Sequence, residues 1–77
     1  MTIFLVIYDR HRGELVSITP YTPSERARAE HERLEVELDS VNRKLGREVV
    51  LLEADGEDDL RKTHARYFKN LRELVAG

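Results

Sequence analysis

The sequence predicts an α+β domain of order ββαβα, a three-stranded antiparallel sheet (order 2-1-3) with two helices on one face. Three observations carry that reading. An apolar run, Ile3-Phe4-Leu5-Val6-Ile7-Tyr8, opens the chain; a second, Val49-Val50-Leu51-Leu52, follows its midpoint; and a long charge-rich segment between them begins with Thr22-Pro23-Ser24-Glu25. Both apolar runs are uninterrupted, which marks strands buried on two sides more than half-buried ones.

Asp9-Arg10-His11-Arg12-Gly13 reads as a hairpin loop, with Gly13 free to take the left-handed conformation that closes it. Glu14-Leu15-Val16-Ser17-Ile18-Thr19 returns as the second strand, and Pro20 is expected to stop it at a sheet edge. Thr22 then suits a helix cap, Pro23 the first helical position, and Glu25 the position three residues on that answers the Thr22 N–H. The helix should end before Gly46. Its apolar stripe is Ala27, His31, Leu34, Leu38, Val41 and Leu45, with Val36 off it. Such a helix spans about 34 Å against about 20 Å for a six-residue strand, so it should overhang the sheet.

Arg47–Ala54 forms the third strand, and Asp55-Gly56 ends it. Glu57, Asp58 and Asp59 then place three acids in the first turn of a second helix, where the helix dipole favours them. This helix is expected to run to about Val75, with Leu60, His64, Tyr67, Phe68, Leu71, Leu74 and Val75 as its apolar face.

The hairpin makes strands one and two antiparallel. A right-handed crossover through the long helix then brings strand three to the free side of strand one. Pairing Tyr8 with Glu14 places Phe4, Val6, Tyr8, Val16, Ile18, Val50, Leu52 and Ala54 under the helices. The other face carries Ile3, Leu5, Ile7, Leu15, Val49 and Leu51, with no third helix to cover it. Patches of that size are seldom left in water, so these six residues are the expected interface of a homodimer, by face packing or by pairing of the strand-three edges.

Composition agrees with a small interaction module. The chain has 77 residues and is treated as a single domain, 1–77, near the size at which a core needs outside help. With 15 acidic and 13 basic residues the net charge is −2, which does not favour nucleic acid as a partner. There is no Cys, hence no disulfide framework or thiolate metal site. The apolar runs are too short to cross a membrane and no signal segment accompanies them, so a cytoplasmic protein with no membrane partner is expected.

His31 and His64, at similar heights on two parallel helices, would meet; no His-x-x-x-His or carboxylate spacing supports a metal there. Arg10, His11 and Arg12 form a basic hairpin tip, and a nucleic-acid-associated accessory protein using that tip and the basic side of helix two is the alternative function. No nucleophile–base pair or glycine-rich phosphate loop is present, so neither catalysis nor a cofactor is expected. Leu60-Arg61-Lys62-Thr63-His64-Ala65-Arg66-Tyr67-Phe68, with the acidic lead-in before it, resembles a pattern in short uncharacterised bacterial proteins. The resemblance implies no activity; it singles out Thr63, His64, Arg66 and Tyr67 as possible recognition residues.

Overall fold

The computed structural model of the chain describes residues 1–65. Strands β1 (Thr2–Asp9) and β2 (Glu14–Tyr21) form a hairpin; a single 3-10 turn (Pro23–Glu25) leads into helix α1 (Arg26–Asn42), followed by strand β3 (Arg47–Ala54) and helix α2 (Glu57–Thr63). The sheet is antiparallel throughout in the order β2-β1-β3, as the crossover rule predicts. The residues expected to extend the second helix, Tyr67, Phe68, Leu71, Leu74 and Val75, lie outside the described residues.

The most apolar strand takes the middle place. β1 and β3 pair over eight consecutive positions without a break, from Thr2 opposite Ala54 to Asp9 opposite Arg47. β1 and β2 pair from Ile3 opposite Tyr21 to Asp9 opposite Glu14, with a bulge where Ile7 faces Ser17 but Tyr8 faces Leu15. Val16 is the extra residue. Because side chains alternate between faces, one inserted residue moves Leu15 to the side of Phe4, Val6 and Tyr8 and leaves Val16 43 % exposed. Leu15 thus takes the core place expected for Val16, and Val16 is left in solvent. Pro20 does not end β2 either. It sits within the strand opposite Phe4, tolerated because an edge strand can dispense with one N–H.

The two helices lie on opposite faces of the sheet, which corrects the expectation that both cover one. One core cluster joins Phe4, Val6, Tyr8 and Ala54 to Leu60 of α2, with Leu15, Ile18, Val50 and Leu52 against it. The other joins Ile3, Leu5, Tyr21 and Val49 to Ala29 of α1, with Ile7, Val36 and Leu51 against it. A chain rich in two-sided apolar strands is thus satisfied within one protomer, one helix per side.

Capping explains where α1 starts and stops. The Glu25 carboxylate accepts the Thr22 N–H at 2.9 Å and its hydroxyl at 3.1 Å, and those two bonds hold its carboxyl below the usual range. At the other end the Lys44 N–H bonds the Val41 carbonyl and the Leu45 N–H bonds that of Ser40. This pair of bonds places the left-handed turn at Lys44 (φ 54°), two residues before the glycine expected to supply it. The helix is therefore 17 residues, matched to eight-residue strands and not overhanging them. Gly46 (φ 67°) makes the next turn, into β3. Among the described residues no helix is long and apolar enough to cross a membrane.

Candidate functional site: the outer face of α1 and the edge of β3

The sheet-facing side of α1 is made of small residues. Ala29 and Ser40 are buried and Val36 partly so, which lets the helix lie close on β1 and β3. Three polar tethers then fix its rotation. The Tyr21 hydroxyl donates to Glu32, the Arg26 guanidinium pairs with Glu53, and the Arg47 N–H donates to Ser40 Oγ at 3.1 Å. Tyr21 is buried among the residues under α1. That burial, the Glu32 bond and the negative charge of Glu32 together push its phenol from the ordinary 10.0 up to about 12. Reciprocally, the hydroxyl donor and Arg28, whose Nε lies 3.2 Å from Oε1, keep Glu32 below its usual range.

With those tethers in place, the stripe read from the sequence points away from the sheet. Leu34, Leu38 and Val41 are 49, 55 and 73 % exposed, and Ala27 and His31 are exposed beside them. Large aliphatics at i, i+4 and i+7 on the solvent side of a helix whose inner side is already docked form an unpartnered apolar surface. Polar pairs border it: the Arg33–Glu37 ion pair at 3.0 Å, and His31 Nε2 2.6 Å from the Glu35 carboxylate.

The sheet face expected to be the interface is interior. Ile3, Leu5 and Val49 are buried beneath α1, Ile7 and Leu51 are partly buried with them, and Leu15 belongs to the opposite core. The reason is the placement of α1, since a helix on that side leaves no open face. For the same reason His31 and His64 do not meet: they belong to helices on opposite sides of the sheet.

The hairpin tip is latched to its surroundings. Arg10 pairs with Glu48 at 3.5 Å and Arg12 with Glu14 at 3.8 Å. The Asp9 carboxylate accepts the His11 and Arg12 N–H groups. The His11 ring lies on Gly46 so closely that a Cβ there would stand 2.7 Å from its Cδ2. In α2, the Thr63 hydroxyl bonds back to the Asp59 carbonyl at 2.9 Å and the His64 N–H closes the last turn on Leu60. Arg66 and Tyr67 lie outside the described residues. Among the described residues no group of three His, Cys, Asp or Glu is placed to hold a metal ion.

Sequence reasoning missed Tyr21, Ser40 and Glu32. Tyr21 was hidden by the proline before it; Ser40 and Glu32 look like ordinary helix-surface residues. The available signal was that Ala29, Val36 and Ser40 form a second, small-residue face opposite the leucine stripe. In a scan against family models, a search of curated proteins and a search of solved structures, nothing matches this chain.

Proposed function

We propose that this protein is a non-enzymatic interaction or regulatory module that works as a homodimer, associating through the outer side of α1. The observation that supports this is the exposure of Leu34, Leu38 and Val41 on one stripe of a helix that already spends its small side chains on the sheet. Removing a large aliphatic side chain from water contributes about 1.5–3 kcal/mol, so a second copy that covers part of that stripe is favoured. Arg10 and Arg12 each face a carboxylate of the same chain, which weighs against the basic hairpin tip as a nucleic-acid surface.

The test is molar mass by light scattering over a concentration series, for the wild type and for Leu34→Glu. A wild-type dimer that Leu34→Glu converts to folded monomers, with unchanged circular dichroism, is the expected result. A wild-type monomer across the series refutes the reading.

A further inference from the structure

Resting on that homodimer reading, we propose that two copies join through the outer edges of β3 about a two-fold axis. The result is a continuous six-stranded antiparallel sheet with Val50 opposite Val50 of the second copy.

The two edges of the sheet are not equivalent. β2 carries the bulge at Val16 and lacks an N–H at Pro20, both devices that discourage strand addition. β3 has neither: its eight residues are in unbroken register with β1, it contains no proline, and among the described residues no strand takes up its outer backbone groups. Eight residues of edge with no bulge and no proline, and with charges only near the two ends, are a template for another strand.

The side chains choose the strand and its register. Arg47, Val49, Leu51 and Glu53 alternate onto the α1 side of β3, and Glu48, Val50, Leu52 and Ala54 onto the α2 side. A two-fold axis perpendicular to the sheet pairs residues on like faces. With Val50 on the axis, Val49 faces Leu51 of the second copy, and Arg47 faces Glu53 of the second copy at both ends. On the α1 side opposite charges thus meet twice with aliphatics between them, while on the α2 side Glu48 faces Leu52 of the second copy. Among the described residues Arg47 Nε is a buried donor without an acceptor, and a guanidinium set opposite the second copy's Glu53 can gain one by turning toward it. A slip of two residues one way sets Glu53 against Val49; the other way sets Arg47 against Leu51.

The same axis accounts for the exposed stripe. At about 100° per residue around the helix, Glu32 lies about 60° from Ala29 on the β2 side, where Tyr21 holds it. Arg26 lies about 60° from Ala29 on the β3 side, where Glu53 holds it. Continuing round on the β3 side, Val41 and Leu34 come at about 120–140°. The leucine stripe therefore leans over the β3 edge. Joining the edges lays the two α1 helices antiparallel on one face of the enlarged sheet, with Leu34 and Val41 turned toward the second copy. One operation completes the open strand and covers the part of the stripe nearest it, Leu34 and Val41, while Leu38, about 180° from Ala29, stays on the outer side.

The experiment combines light scattering with amide hydrogen exchange of the wild type below and above the dimerisation concentration, and with oxidation of Val50→Cys, which adds the only thiol. Expected are a slowing on the order of tenfold or more for β3 amides on dimerisation, no comparable change in β2, and a disulfide-linked dimer of Val50→Cys. A wild-type dimer with unchanged β3 exchange and no cross-link overturns the edge pairing while leaving the homodimer reading intact. A monomer at every concentration overturns both.

Discussion

The Tyr21–Glu32 tether makes α1 docking sensitive to alkaline pH, and the size of the effect follows from the structure. The phenol is ordinary at 10.0 in the unfolded chain and lies at about 12 in the fold, chiefly because burial penalises the phenolate and secondarily because the neutral hydroxyl donates a hydrogen bond to Glu32. A group whose value is raised by folding contributes its full stabilisation below the unfolded value. That contribution is lost as pH rises from 10 through 12. At 1.36 kcal/mol per unit the full span is at most about 2.7 kcal/mol; the hydroxyl and Glu32 lie near the surface, where solvent screening cuts it to roughly half, so about 0.7 kcal/mol is gone by pH 11. For a domain of this length that corresponds to a fall in Tm of about 3–6 °C. Other groups also titrate at high pH, so the informative quantity is the difference between wild type and Tyr21→Phe. Phenylalanine keeps the ring under α1 but removes the ionisable hydroxyl, at a baseline cost of about 0.5–1.5 kcal/mol. Thermal melts followed by circular dichroism from pH 8 to 11.5 should show the wild type losing its advantage over Tyr21→Phe within that window. The absorbance of tyrosinate at alkaline pH should lose its latest-rising component in the variant. Parallel stability curves for the two proteins would refute the argument and place Tyr21 in contact with water.

Two further outcomes test the placement of α1. Leu5→Glu puts a carboxylate where the side chain is buried between β1 and α1, at a cost of several kcal/mol. It should unfold the protein instead of releasing folded monomers, as read by circular dichroism; a folded Leu5→Glu monomer would mean that α1 does not cover that face. Lys44→Gly relieves a left-handed conformation at a residue with a Cβ and should stabilise by about 1 kcal/mol in thermal denaturation. A loss of stability there would contradict the observed helix end.

Element order, strand order and the central place of β1 were legible because they follow from apolar runs, turn residues and the handedness of crossovers. The faces were harder to read. Leu15 and Val16 were assigned through a hairpin register that a single bulge reverses, and nothing in Glu14–Thr19 announces a bulge. The helix was assigned by its largest apolar residues, a sound rule for a docked helix when no other contact is available. Here Ala29 and Ser40 win the inner side because small residues permit close approach, and because Tyr21, Glu53 and Arg47 each supply a polar tie that fixes the rotation. The interface was consequently placed on Ile3, Leu5, Ile7, Val49 and Leu51, the side that α1 fills, while the leucine stripe was read as core. Every residue of that stripe was named from the sequence; its direction depended on contacts between segments far apart in the chain.

The His11 ring resting on Gly46 separates a soft demand from a hard one. A Cβ at position 46 would meet only the far end of the exposed His11 side chain, which can turn away into solvent. The left-handed backbone at φ 67° has no such relief. Position 46 is therefore open to asparagine, which tolerates that conformation, and closed to β-branched residues, whatever stands at position 11.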